Sequence, residues 1–222
     1  MYLPTNTELA DFQAVPVPAT RRKTDAKPPL SKRALDIFAV LMGLPAVLLI
    51  LGCAAIAIRV TSRGPVFFVQ DRYGLNRVPF GIFKLRTMTV AENGSDFRQV
   101  VKDDPRITRV GAFLRKTSID ELPQLFNVLR GDMSLVGPRP HATAMDDEFA
   151  LKIANYDHRF DMLPGVTGLA QVRGHRGVTD TVDKMQARID SDLEYVRNRS
   201  FSMDTSILLR TLLVVLGQRN AF

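Results

Sequence analysis

Residues 37–58 read IFAVLMGLPAVLLILGCAAIAI, a run of 22 positions without a charge. A helix needs about 20 apolar residues to cross the hydrocarbon core of a bilayer, so by length this segment can span. Two features oppose a simple span. Pro45 removes a backbone donor and clashes with the preceding turn. Basic residues flank both ends, Lys32 and Arg33 before and Arg59 and Arg63 after, and positive charge marks the cytoplasmic side. A helix that enters the membrane, breaks at Pro45 and returns satisfies both facts. A spanning anchor with a tolerated proline accounts for the length equally well. The core helix of a soluble domain would carry a polar face, and this run has none.

Outward from that run, the chain divides into a tail (1–30), a membrane segment (31–62) and a domain (63–222). The tail is proline-rich, carries Arg21-Arg22-Lys23 and has no sustained periodicity, which predicts disorder. The apolar run starts too far in for a secretory signal. After it, the β-prone Val66-Phe67-Phe68-Val69 and the turn residues Gly74-Leu75-Asn76 predict a hairpin over 66–88. On the return strand, Lys84 and Arg86 fall on one face by the period-two rule, Phe83 and Leu85 on the other. Residues 90–105 read as a loop. Ile107, Val110 and Leu114 suit a short helix, and Leu122, Leu125, Phe126 and Leu129 a second one stopped by Gly131. A strand at Met133–Val136, a helix around 142–157 and a turn at Pro164-Gly165 follow. An amphipathic helix over 181–199 carries Val182, Met185, Ile189, Leu193 and Val196 on one stripe. The last run, Ile207–Leu216, suits the core or a membrane surface, with Arg210 and Arg219 snorkelling. The fold class is α+β: a small helix-rich domain with a β-hairpin, an N-terminal membrane helix, re-entrant and broken at Pro45 or else spanning, and interfacial amphipathic helices.

A formal net charge of +7 over 222 residues points to polyanionic partners: phosphorylated substrates, anionic lipid or nucleic acid. The single cysteine, Cys53, excludes an internal disulfide and a thiol zinc site. His141, His158 and His175 are not at metal-ligand spacing.

Between the two predicted short helices lies Thr117-Ser118-Ile119-Asp120-Glu121-Leu122-Pro123-Gln124. Pro123 belongs in a first helical turn, which makes Asp120 a natural N-cap and puts Glu121 at the first helical position. There the helix dipole favours ionised carboxylates. An ionised Asp can attack phosphorus or carbon, and two adjacent carboxylates can share Mg²⁺ with substrate phosphates and water. The same pair is also ordinary helix-start grammar, so its neighbours matter. Arg139 is held between Pro138 and Pro140, in backbone pushed to the extended region. A guanidinium on so stiff a frame loses little entropy on clamping phosphate oxygens. With Lys84, Arg86 and Arg115 it would form an anion site around the dyad, without which two acids repel a diphosphate. No Gly-rich phosphate loop precedes a helix, and there is no nucleophile elbow. The basic residues are not interleaved with an aromatic platform for nucleic acid.

These residues resemble the bacterial polyprenyl-phosphate hexose-1-phosphate transferases, also called monotopic phosphoglycosyl transferases. The matching stretches are SKRALDI (31–37), GPVFFVQDRYG (64–74), FKLRTM (83–88), DDPRITRVGAFLRKTSIDELPQLFNVLRGDMSLVGPRP (103–140), LPGVTGLAQVRG (163–174) and DLEYVRNRSFSMD (192–204). The resemblance implies transfer of a hexose-1-phosphate from a UDP-sugar to polyprenyl (undecaprenyl) phosphate with release of UMP. It implies a ping-pong route in which Asp120 carries the phosphosugar covalently and Asp120 and Glu121 hold Mg²⁺. Lys84, Arg115 and Arg139 become the diphosphate or uridine contacts of the donor. It favours the re-entrant helix broken at Pro45, and a catalytic domain on the cytoplasmic face of the inner membrane, in contact with lipid and not nucleic acid. A homodimer is one arrangement open to it. The region around Thr179-Asp180-Thr181 and Lys184-Met185 points to UDP-glucose or UDP-galactose. Two departures stand out: Leu44 where relatives often have Ser before the proline, and Arg173-Gly174-His175-Arg176-Gly177 where many have Asn and an aromatic. A non-catalytic UDP-sugar or lipid-phosphate binder, a Mg²⁺-dependent diphosphatase and a basic peripheral module are the competing readings.

Overall fold

The computed structural model describes residues 28–89, 100–101, 104–175, 177 and 181–216. The expected tail up to residue 27, most of the predicted loop 90–105, Arg176, Thr179, Asp180 and Arg219 lie outside the described residues. Helix α1 (Leu30–Thr61) leads into the hairpin β1 (Phe67–Tyr73) and β2 (Pro79–Leu85). Short elements follow: α2 (Arg109–Lys116), α3 (Gln124–Arg130), β3 (Ser134–Val136), α4 (Thr143–Ala150), β4 (Gly165–Thr167) and α5 (Leu169–Val172). Two longer helices, α6 (Val182–Asn198) and α7 (Phe201–Leu216), close the chain.

The uncharged run lies within α1, which among the described residues is the one helix long and apolar enough to cross a membrane. Pro45 lies inside this helix rather than between two, so the expected break is not seen as an interruption. A proline removes one backbone bond and bends a helix without having to end it. What marks the middle is exposure. Lys32, Asp36 and Val40 are buried at one end and Leu51, Ala54 and Ile58 at the other, while none of residues 41–50 is buried. Lys32 and Arg33, expected as flanking interfacial charges, are fasteners instead. Lys32 Nζ is buried 3.2 Å from Asp204 of α7. Arg33 donates to the Val128 carbonyl and, at 2.7 Å, to the Leu129 carbonyl at the end of α3.

The predicted hairpin forms, in register from Phe67 opposite Leu85 to Tyr73 opposite Pro79. Asn76 (φ 56°) and Arg77 (φ 60°) supply the left-handed turn residues. The second sheet pairs β3 and β4 in parallel. Two-stranded sheets leave outer edges whose amides need partners, and side chains fill two of them. Asn127 of α3 accepts from the Phe83 N–H (2.9 Å) and donates to the Gly81 carbonyl (2.8 Å) along β2. Asp36 of α1 accepts from the Leu135 N–H (3.1 Å) and the Ser134 hydroxyl (2.8 Å) along β3. Pro164-Gly165, expected as a turn, opens β4. A Cβ on Gly165 would lie 2.1 Å from the Gly137 nitrogen, so the two backbones approach this closely only with glycine.

The remaining helices follow their sequence signals, α6 close to its expected ends and α7 starting at Phe201, earlier than the expected run. Thr108 caps α2 by accepting from the Gly111 N–H (2.9 Å), and Gly131 (φ 99°) stops α3. The helix expected over 142–157 ends at Ala150. Left-handed Asn155 (φ 62°) then starts a 3₁₀ turn, Tyr156–Asp161. On α6, Met185, Ile189 and Leu193 pack with Phe149, Ile153, Tyr156 and Phe160. Leu85 and Leu114 pack against Leu51, Ala54 and Ile58 of α1, and Ile82, Val128 and Met133 against its Val40. On α7, Ile207 joins Val136, Leu169 and Tyr195, while Leu209, Leu212 and Leu213 are exposed. The result is α+β, with four small apolar clusters among the described residues.

Candidate active site

Asp120 and Glu121 lie in a 3₁₀ turn, Ile119–Glu121, between α2 and α3. Ser118 takes the left-handed conformation (φ 58°) and reverses the chain after α2. The Glu121 and Leu122 N–H groups donate back to Ser118 and Ile119 at 3.2 Å each. Pro123 has no N–H to extend that pattern, so α-helical pairing begins only beyond it, with Pro123 at the cap of α3. Asp120 is therefore not the N-cap the sequence suggests. Its surroundings are also not those of an exposed helix start. Burial, then the charge of Glu121, push its carboxyl up to about 6, against the pull of Lys84, Arg115 and Arg139. This reverses the ionising effect expected from a helix dipole.

Glu121 is gripped by Arg139: Nη1 donates to Oε2 at 3.0 Å and Nη2 to Oε1. Such a two-pronged pair fixes direction as well as charge. Lys84 Nζ lies 3.7 Å from Glu121 Oε1. Burial lowers the Lys84 ammonium to about 8, opposed by Glu121 and assisted by Arg72 and Arg139. Arg115, in the last turn of α2, acts on Asp120 by charge. Five of the six sequence-derived site residues thus converge. Arg86 does not: its guanidinium donates to the Ser62 carbonyl and hydroxyl (2.9 Å each) and to the Arg63 carbonyl, closing the end of α1. The strand ends at Leu85, so the alternation that grouped Arg86 with Lys84 no longer applies.

Arg72, on β1, is a site neighbour that sequence reasoning missed. It is buried, donates to Gln70 Oε1 and lies 3.4 Å from the Pro140 carbonyl. Burial, then Arg139, lower it to about 10, so it stays charged at neutral pH. The alternation of Gln70 and Arg72 along β1 was the available signal.

Behind Arg139 lies a second polar cluster. Arg159 donates to Asp146 (2.7 Å), to Asp192 (3.2 Å) and to the Arg139 carbonyl. Tyr156 donates to Asp146 at 2.8 Å. His141 sits between Arg159 and Arg188; burial, then Arg159, lower its imidazole to about 3, leaving it neutral. The Pro138 carbonyl accepts from the Gly165 N–H (2.9 Å). Three successive carbonyls, 138 to 140, are thus anchored, and the Arg139 side chain leaves from fixed backbone.

Among the described residues no group of three or more His, Cys, Asp and Glu could hold a metal. Asp120 and Glu121 still suit Mg²⁺, a hard cation that takes one or two carboxylates and completes its shell with phosphates and water. Glu121 would share its oxygens with Arg139.

A buried acid, a second acid locked to an arginine and a surplus of cations thus lie together, set beside an apolar helix. The chain belongs to the bacterial sugar transferases: the family of that description matches residues 28–218. The family resemblance read from the sequence is borne out. A UDP-glucose:undecaprenyl-phosphate glucose-1-phosphate transferase of Caulobacter vibrioides is 53% identical over 195 residues, 87% of this chain and 72% of the relative. The Escherichia coli protein of that name is 46% identical over 183 residues, 82% of this chain but 39% of the relative. An exopolysaccharide production protein of Rhizobium leguminosarum is 47% identical over 195 residues, covering 98% of its length.

Proposed function

We propose that this chain transfers a hexose-1-phosphate from a UDP-sugar, UDP-glucose or UDP-galactose, to undecaprenyl phosphate in a membrane step of exopolysaccharide assembly. One observation carries the reading: the buried Asp120 carboxyl faces the charges of Lys84, Arg115 and Arg139. The names of the relatives supply the donor and acceptor classes. In the first half-reaction an Asp120 oxygen attacks the β-phosphorus. The bond from that phosphorus to the bridging oxygen breaks, and UMP leaves with the electron pair. In the second, an oxygen of the lipid phosphate attacks the same phosphorus and Asp120 departs as carboxylate. A carboxyl raised to about 6 is mostly ionised at neutral pH, yet more nucleophilic than an exposed one. Arg139 and Lys84 offset the charge of the diphosphate, which two acids would otherwise repel. Asp120 and Glu121 would hold Mg²⁺, which when bound supplies charge neutralisation at the diphosphate.

The same reading takes α1 as re-entrant. Both its ends dock on the domain and its middle is bare, which suits a helix that dips into one leaflet with its apex near Pro45. The domain then lies on the cytoplasmic face of the inner membrane.

The test is UMP release from a panel of UDP-sugars, with Mg²⁺ and with or without undecaprenyl phosphate. Lipid-dependent release from one donor is expected. Lipid-independent release would favour a diphosphatase, and binding without release a non-catalytic protein.

A further inference from the structure

We propose that Asp36, on the apolar helix α1, is a positioning residue for the Arg139 clamp, so that the seat of α1 sets the geometry of the phosphate site. The inference rests on the transferase reading of that site.

Strand β3 is three residues long and runs directly into Gly137-Pro138-Arg139. On one side it pairs with β4: the Ser134 N–H donates to the Pro164 carbonyl at 2.9 Å. Backbone groups alternate sides along a strand, so the Leu135 N–H faces the other edge, where among the described residues no third strand lies. Asp36 stands in for that strand. It is 2% exposed, with one oxygen 3.1 Å from the Leu135 nitrogen and the other 2.8 Å from Ser134 Oγ. One turn earlier, Lys32 is paired with Asp204. Asp204 also accepts from the Tyr195 hydroxyl at 2.6 Å, and that hydroxyl lies 3.1 Å from the Val136 carbonyl. All three residues of β3 are thus tied to α1, two directly and one through Asp204 and Tyr195.

A lipid anchor needs apolar surface, and a buried carboxylate costs free energy unless its lone pairs are used. On α1 this one is spent on the strand that carries the clamp. Sliding α1 by one residue, about 1.5 Å, would leave both Asp36 and the Leu135 N–H buried without each other. The stretch between β3 and Arg139 has little give. Gly137 is pressed against Leu163 and Gly165, the Pro138 carbonyl is bonded, and two prolines flank the arginine. A displaced β3 therefore carries Arg139 with it.

The experiment is a double-mutant cycle on the full chain in undecaprenyl-phosphate-containing nanodiscs, reading kcat/KM for UDP-glucose by UMP release. Asp36→Ala should lower kcat/KM about 10-fold or more, the usual scale for a misplaced binding group. In an Arg139→Ala background the same substitution should lower it less than about 2-fold, because its target is already gone. Ser134→Ala, which removes one of the two bonds and is the milder change should Asp36→Ala not fold, should show a smaller loss with the same masking. Equal losses in both backgrounds, or no loss from Asp36→Ala in the native background, would overturn the coupling. If Arg139→Ala itself leaves kcat/KM unchanged, the clamp fails and the coupling with it. That result differs from additivity on an intact clamp.

Discussion

Two clusters of acids and cations meet at Arg139, and they differ in what they leave over. The one at its side chain sets Asp120 and Glu121 against Lys84, Arg72, Arg115 and Arg139, an excess of positive charge. The one at its carbonyl sets Asp146 and Asp192 against Arg159 and Arg188, with His141 neutral, and its charges balance. Glu121, Lys84 and Arg139 keep 13%, 20% and 21% exposure, whereas Arg159, Asp146 and Asp192 keep 1% or less. Both clusters contain a carboxyl that burial raises to about 6, Asp120 in one and Asp192 in the other. A perturbed carboxyl therefore does not mark the site on its own. Access and uncompensated charge separate the two, and on the proposed reading a dianionic diphosphate would enter only where cations remain to receive it.

The largest expected effect breaks the comparison at its reacting atom. Asp120→Asn should reduce UMP formation by roughly 10³-fold or more, the scale seen when a nucleophile is lost. UDP-sugar binding, followed by calorimetric titration, should stay within a few-fold of native. Near-native turnover would end the covalent mechanism. The balanced cluster should respond in stability instead. Arg159→Met strands two buried acids and should cost about 3–5 kcal/mol, read as a fall in Tm. Arg139→Met should shift Tm far less, since its partner Glu121 is partly exposed and has Lys84 nearby.

That contrast also explains what could be read from sequence. Asp120, Glu121 and Arg139 announce themselves locally, through adjacent acids and a proline-framed arginine. The hairpin shows in its β-prone run and turn residues, and α3 in its glycine stop. Asp36 and Asn127 give no such signal, because each is a lone polar residue between apolar neighbours and its work lies elsewhere in the chain. Asp36 reaches across 99 positions to Leu135, and Asn127 across 44 to Phe83. The ionisation of Asp120 went the other way from its local cue for the same reason. A cap pattern describes neighbours in sequence, while burial is set by strands and helices far along it. Where α1 leaves its flanking charges was likewise invisible, since Lys32 looks like an interfacial residue until Asp204 folds against it.

A smaller effect sharpens the role of guanidinium geometry. Arg139→Lys keeps the charge but loses the two-pronged hold on Glu121. It should lower kcat/KM about 10-fold with little change in Tm. An unchanged kcat/KM would make Arg139 a turn residue and leave Lys84 and Arg115 as the anion site.

The smallest effect lies in the pH profile, and its sign follows from which form each group needs. Asp120 must be ionised to attack, and its carboxyl titrates near 6, so kcat/KM should fall as pH drops through that value. Lys84 must be protonated to offset the diphosphate, and its ammonium titrates near 8, so kcat/KM should fall again as pH rises through that value. The profile is then a bell between about 6 and about 8. Lys84→Arg separates the two limbs, because a guanidinium keeps its proton far above this range. The acid limb should stay in place and the alkaline limb should flatten, at some loss of height from the altered reach. If instead the acid limb moves and the alkaline limb stays, Lys84 does not set the upper edge. The titrating cation would then have to be sought elsewhere around the dyad.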